Sequence, residues 1–182
     1  MCKLRMSKVR DVKTPSRGTV MSAGTDFYVP KFRSSFIEAF EKRNELAIAS
    51  NEIYVDKSAR VIILSPRAQV QIPSGIKVDQ MSLSNVQLEA SNKSSVSTKK
   101  GLVVTAGTID ADYQGELHLC MYNSSSKLAF INEDDKITQF VLRTVQLPTV
   151  ELVAEEDLFS EVTERGSGGF GSTDIKDVQL KK

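Results

Sequence analysis

Residues 165–173, Arg165-Gly166-Ser167-Gly168-Gly169-Phe170-Gly171-Ser172-Thr173, join side chains that grip phosphate to a backbone that can surround it. Glycines let successive N–H groups crowd around an anion. Arg165 offers a planar fork of donors to phosphate oxygens. Ser172 and Thr173 add hydroxyl donors, and Phe170 presents a face on which a base can stack. Four of the ten glycines fall within these residues. Such a segment is flexible when free, because glycine loses much backbone entropy on ordering. A plain linker has the same composition, so a functional role requires a ligand to supply the order. Two familiar phosphate motifs do not fit. The glycines spell G-x-G-x-x-G, but no strand leads tightly into them as a dinucleotide site requires. The spacing from Gly166 to Gly171 resembles a P-loop, yet Ser172 stands where that motif has lysine.

A second stretch, Gly107-Thr108-Ile109-Asp110-Ala111-Asp112-Tyr113-Gln114-Gly115-Glu116, reads as a hairpin with acids and a tyrosine at its tip. A carboxylate there can orient or deprotonate a water, and a tyrosine ring can pack on a sugar. In isolation an Asp-x-Asp tip is more often a plain turn, because aspartate bonds to its own backbone.

The elements that would position these residues are mostly short strands. Val61–Leu64 is an apolar run that stops before Pro66. Ala68, Val70 and Ile72 alternate with glutamines, and Pro73-Ser74-Gly75 supplies a turn. Val86 and Leu88 alternate, and Leu102-Val103-Val104 is a buried strand candidate. Leu117, Leu119 and Met121 share one strand face, with His118, Cys120 and Tyr122 on the other. Ile137 to Val145 forms one more strand. This pattern points to an all-β barrel or sandwich. One segment differs. Ser35 and Glu38 have capping-box spacing, and Phe36, Ile37 and Phe40 recur at helical spacing, so a short helix is predicted from Ser35 to Asn44.

Twenty-four basic and 23 acidic residues leave a net charge of +1, which argues against a general nucleic-acid binder. Two cysteines, Cys2 and Cys120, are too few for a disulfide framework. His118 and Cys120 share a strand face, but two ligands do not make a zinc site. Residues 1–10 lack the apolar stretch of a signal peptide, and no window is apolar enough to span a bilayer. The expectation is a cytoplasmic protein, in the host's cytoplasm if viral, with no membrane or nucleic-acid partner.

The motifs together resemble the trimeric dUTPase family. Ala23-Gly24-Thr25-Asp26, Asn92-Lys93-Ser94-Ser95, the 107–116 stretch, Asp135-Lys136-Ile137-Thr138-Gln139 and the 165–173 stretch are similar to its five motifs, in order, from about Ala23 to Thr173. The resemblance implies a jelly-roll-like β-barrel over residues 1–163, with an insertion at about 31–56, and a tail over 164–182. It implies a homotrimer whose active sites are shared between chains, one chain's tail closing over a neighbour's pocket. It implies Mg²⁺-dependent hydrolysis of dUTP to dUMP and pyrophosphate. Asp110 would activate the water that attacks the α-phosphorus. Tyr113 would pack against deoxyribose and exclude a ribose 2′-hydroxyl, with the backbone from Gly107 to Ile109 pairing with uracil's polar edge. Lys93, Ser94, Ser95 and Gln139 would contact phosphates. Phe170 would stack on uracil, with Gly169 and Gly171 beside it, and Arg165, Ser172 and Thr173 would hold the triphosphate. Asp26 would support the metal through water, the ion being held chiefly by phosphate oxygens.

The chain departs from the family pattern in three places. Lys93 stands where the second motif usually has arginine, which keeps the charge and loses the fork. Asp174 follows Thr173 where glycine is usual. The 31–56 segment is longer than the compact pattern. Two rivals remain for the same fold: a nucleotide- or protein-binding module without turnover, and a dCTP deaminase-like enzyme. The second is disfavoured because Cys120 occupies the place of that family's catalytic glutamate, leaving no proton carrier.

Overall fold

The structure is a computed structural model and describes residues 3–168. Its strands and helices run, in order, β1 (Arg5–Lys8), β2 (Ser16–Arg17), β3 (Gly24–Tyr28), α1 (Ser34–Arg43), α2 (Glu45–Ala49), β4 (Ile53–Asp56), β5 (Val61–Leu64), β6 (Gln69–Pro73), β7 (Ile76–Asp79), β8 (Val86–Asn92), α3 (Ser94–Lys100), β9 (Leu102–Val104), β10 (Thr108–Ile109), β11 (His118–Asn123), β12 (Ala129–Asn132) and β13 (Lys136–Thr144). The architecture is all-β and jelly-roll-like. A five-stranded antiparallel sheet has the order β10-β8-β13-β3-β2. Three-stranded sheets have the orders β6-β11-β9 and β12-β5-β4, and β1 pairs with β7.

Strand alternation builds the core. On β11, Leu119 and Met121 are buried while His118, Cys120 and Tyr122 are half-buried on the opposite face, the period of two expected of a strand. On β3 and β13, Phe27 and Phe140 bring their rings to a centroid distance of 4.5 Å at 56°. Both are fully buried, and each contributes roughly 1.5–3 kcal/mol by leaving water.

Helix α1 lies within one residue of its predicted span and buries Phe36, Ile37 and Phe40, packed against β6. The capping box is not formed. The helix starts at Ser34, its N-cap is Arg33 in extended backbone, and no side chain caps it. The Arg33 carbonyl instead accepts the N–H groups of Phe36 and Ile37. At the other end Asn44, also buried, donates to the carbonyls of Phe40 (2.8 Å) and Gln71 (2.9 Å) and accepts the Gln71 N–H (2.9 Å). One amide thus caps α1 and pins it to β6. Helices α2 and α3 were not anticipated; α3 ends at Gly101, whose φ of +66° is the left-handed cap that glycine adopts readily.

Contacts divide the chain into Met1–Gln146, which carries the sheets, and Leu147–Lys182. Residues 147–163 therefore group with the tail. Within this second unit a 3-10 turn spans Glu155–Asp157.

Candidate active site

Residues 107–116 do not form the expected hairpin. β10 pairs with β8, whereas β11 pairs with β6 and β9. The stretch is a loop carrying the chain from one sheet to another. Its tip is a tight turn in which the Tyr113 N–H donates to the Asp110 carbonyl at 3.2 Å. Gln80 Nε2 donates to the same carbonyl at 3.0 Å, so the backbone of Asp110 is held from two sides. The Tyr113 hydroxyl turns back to the Glu116 carbonyl at 3.0 Å. This folds its ring against Gly115, where a Cβ would fall 2.3 Å from the tyrosine Oη. Glycine is required there by close approach. Gly107 gives its carbonyl to the Ala90 N–H at 2.7 Å. A Cβ on Gly107 would meet only the Ala90 oxygen at 3.8 Å, so the space beside this backbone is open.

A second cluster forms across β3, β13 and β8. Gln139 is the register partner of Asp26 on β3 and of Ser91 on β8. Its side chain lies over Gly24 and donates to the Asn92 carbonyl at 2.9 Å. The buried carboxylate of Asp26 is ion-paired through one oxygen with Lys93 and through the other with Lys136, the latter at 3.3 Å. Lys136 also lies 5.2 Å from the centre of the Tyr28 ring, whose hydroxyl meets that of Ser16 at 2.9 Å. The bond to Ser16 and the nearby ammonium hold the Tyr28 hydroxyl below its usual pKa, and the Tyr28 and Asp26 oxygens push Lys136 up. Lys93 leads into α3, whose first residues, Ser94 and Ser95, are exposed. The first N–H groups of a helix have no partner within it.

These two groups are separate within one chain. Ile109 lies opposite Leu88, three residues along β8 from the Ser91 position that faces Gln139. At roughly 3.4 Å per residue that is about 10 Å along the sheet before Asp110 begins. In the second unit, Arg165 Nε donates to the Gly168 carbonyl at 2.9 Å, and Gly166 has φ +50°. Gly169, Phe170, Gly171, Ser172 and Thr173 lie outside the described residues.

Sequence reasoning missed Lys136 and Asn92, although both sit inside quoted motifs, and missed Gln80, which carries no motif at all. His118 and Cys120 stand on the outward face of β11. Burial and the nearby Arg43 push His118 down, and burial pushes the Cys120 thiol up, making it a poor proton carrier. Among the described residues no three His, Cys, Asp or Glu side chains come together as metal ligands, and no helix is long and apolar enough to cross a membrane.

A jelly-roll-like body with a loop-borne aspartate and a lysine-clamped carboxylate defines a class that comparison identifies. The dUTPase family model matches residues 53–174, two thirds of the chain, and the chain belongs to that family. It is accordingly a hydrolase of nucleotide metabolism, a dUTP diphosphatase that takes dUTP to dUMP. It is 34% identical over 147 residues to the deoxyuridine 5'-triphosphate nucleotidohydrolase of Bdellovibrio bacteriovorus, covering 80% of this chain and 87% of that one. To the enzyme of the same name from Paramecium bursaria Chlorella virus 1 it is 30% identical over 167 residues, covering 92% and 94%. Among solved structures, a Staphylococcus bacteriophage 80alpha dUTPase variant with dUpNHpp superposes with a TM-score of 0.68 at 20% identity, over 95% of this chain and 99% of that one. A dUTPase variant from phage phi11 of S. aureus, described with a structural Mg(II) ion, superposes with a TM-score of 0.63 at 19% identity, over 88% of this chain and all of that one. These structures share the fold.

Proposed function

We propose that the enzyme cleaves dUTP between its α- and β-phosphates. A water attacks the α-phosphorus, Asp110 accepts the proton of that water, and the bond to the β-phosphate oxygen breaks to release pyrophosphate. The observation that carries this reading is the order of the five-stranded sheet. It sets Asp26, Lys93 and Gln139 side by side, from segments far apart in sequence, and carries Asp110 at the end of its outermost strand.

Tyr113, held in its turn by the Glu116 carbonyl, packs on the deoxyribose and excludes a 2′-hydroxyl. Uracil lies along the open backbone from Gly107 to Ile109. Lys93, Ser94, Ser95 and Gln139 contact phosphates, joined by Arg165, Ser172 and Thr173, while Phe170, flanked by Gly169 and Gly171, stacks on the base. A carboxylate that already serves two lysines still has lone pairs for water. Asp26 therefore suits Mg²⁺ that keeps its waters and takes phosphate oxygens as its other ligands. When bound, the ion would neutralise phosphate charge and polarise the reacting phosphorus.

In this reading the enzyme is a homotrimer in which one chain's Asp110 works beside another chain's Asp26, Lys93 and Gln139, an arrangement that the roughly 10 Å between the Asp110 loop and the Gln139 row within one chain allows. The cytoplasm, where deoxynucleotides and Mg²⁺ are both available, is the proposed location. Pyrophosphate release by purified protein tests the chemistry. Turnover should be fast on dUTP with Mg²⁺, collapse with chelator, and fall by orders of magnitude on UTP, dTTP and dCTP. Unpaired polar groups at the uracil edge would penalise cytosine. Comparable rates on UTP and dUTP would overturn the roles given to Tyr113 and the Gly107 backbone.

A further inference from the structure

Glu116 closes the Tyr113 turn, and its carboxylate is heavily engaged. Arg10 donates to it twice, Nε to Oε1 at 2.8 Å and Nη2 to Oε2 at 2.9 Å. The Gly75 N–H donates to Oε1 at 2.7 Å. The remaining arm of Arg10, Nη1, donates to the Ser35 carbonyl in the first turn of α1 at 2.8 Å. Exposure separates this pair from an ordinary surface contact. The side chains of Arg10 and Glu116 are only 17% and 14% exposed, against 55% and 40% for Arg143 and Glu89. A buried two-bond fork fixes orientation as well as distance, whereas exposed pairs contribute little. The fit extends to Gly75, where a Cβ would lie 2.9 Å from Val12 and 3.1 Å from Arg10, at a φ of +74°.

Hydrogen bonds thus run from Ser35 through Arg10 to the Glu116 carboxylate, and the same residue's backbone carbonyl, fixed by the anchored side chain, accepts the Tyr113 hydroxyl. We infer that Arg10 and Glu116 are positioning residues that set the Tyr113 ring. Through Ser35, the segment containing α1 buttresses the substrate loop. Arg10 and α1 precede the 53–174 family match, whereas Gly75 and Glu116 lie inside it, so the buttress ties the earlier part of the chain to the matched region. The inference rests on the proposed reading of Tyr113 as the residue that packs on deoxyribose.

The test uses the full chain and measures kcat and KM on dUTP and UTP for Arg10→Met, Arg10→Lys, Tyr113→Phe and Tyr113→Ala. Arg10→Met should raise KM for dUTP and narrow the dUTP-over-UTP preference, each by roughly tenfold, the scale on which misplacement of a positioning group acts. Tyr113→Phe, which keeps the ring and loses its tether, should do the same. Arg10→Lys keeps the charge without the fork and should fall between Arg10→Met and the parent. It carries the test should Arg10→Met fail to fold. A lowered melting temperature with unchanged selectivity in the arginine variants would make the pair merely structural and overturn the proposal. If Tyr113→Ala relaxes selectivity while the arginine variants do not, the buttress alone fails. If Tyr113→Ala leaves selectivity intact, the reading of Tyr113 fails and the buttress with it.

Discussion

Lys93 forms an ion pair with Asp26, 67 residues away in the chain, and Lys136 takes the second oxygen of the same carboxylate. Asp26 is buried, and both ammonium groups reach it from strand ends. Removing the carboxylate leaves two like charges close together with neither compensated. Asp26→Ala is expected to cost about 1.5–3 kcal/mol, the range for hydrogen bonds to charged groups, because both lysines can still turn to solvent. The urea midpoint measures this, and an unchanged midpoint would show that the clamp is not structural.

Gly24 makes room for Gln139. A Cβ at position 24 would fall 2.2 Å from Gln139 Oε1 and 2.6 Å from its Cδ. The amide must swing away, giving up its bond to the Asn92 carbonyl. Gly24→Ala is expected to cost only about 1–2 kcal/mol of stability, since a flexible side chain can yield. It should nevertheless reduce kcat/KM by roughly tenfold or more, because Gln139 is displaced from the phosphates. Gln139→Ala in the same background should add little further loss; additive losses would place the effect elsewhere.

Much of this arrangement was legible in the chain, and the illegible parts share a cause. The helix over Phe36, Ile37 and Phe40 and the alternation around Leu119 and Met121 are local periodicities, so they can be read without knowing the fold. Strand pairing is not local. The 107–116 stretch looks like a hairpin because its composition suits a turn. Only the competition among β6, β8 and β9 for its two flanks sends them to different sheets. Helix α3 was missed because Ser94–Lys100 buries a single side chain, Val96, and so shows no apolar stripe. The motifs carried Asp26, Lys93 and Gln139 individually. Their convergence, and the part played by Lys136, emerge from the order of β8, β13 and β3.

Asp110→Asn preserves shape and removes the proton acceptor. Turnover should fall by roughly 10²–10⁴-fold, the contribution of a positioned general base, with dUTP affinity close to that of the parent. Near-normal turnover would take Asp110 out of the chemistry.

His118 gives stability a pH dependence of definite sign. Burial and the positive charge of Arg43 lower its pKa from the ordinary 6.5, while Glu116 acts in the opposite direction. The folded chain therefore favours the neutral ring, and the unfolded chain takes up the proton first as pH falls. The contribution is complete above the unfolded pKa of 6.5 and is lost as pH drops through that value towards the lower folded one. Urea unfolding at a series of pH values should show the parent losing stability faster than His118→Asn over this window. Parallel curves would mean that His118 does not titrate between the two states.

Shared active sites make a demand that sites within single chains cannot meet. A chain lacking residues 164–182 keeps Asp110, the sheets and the Asp26 cluster, but loses Arg165 and Phe170, and should be inactive. Full-length Asp110→Asn keeps the tail and loses the base, and should be nearly inactive for a different reason. If each site takes its tail from a neighbouring chain, mixing the two under subunit exchange creates sites that hold an intact Asp110 from the truncated chain and a tail from its partner. Activity should then rise well above the sum of the parents, with a dependence on mixing ratio that passes through a maximum. If Asp110 and the tail serving it belong to the same chain, no mixture contains a complete site and activity stays at the sum. Exchange is established independently by mass difference, since the truncated chain is 19 residues shorter than the 182-residue parent. Proven mixed assemblies without recovery would exclude tail donation between chains while leaving the Asp110 chemistry to stand on its own variant.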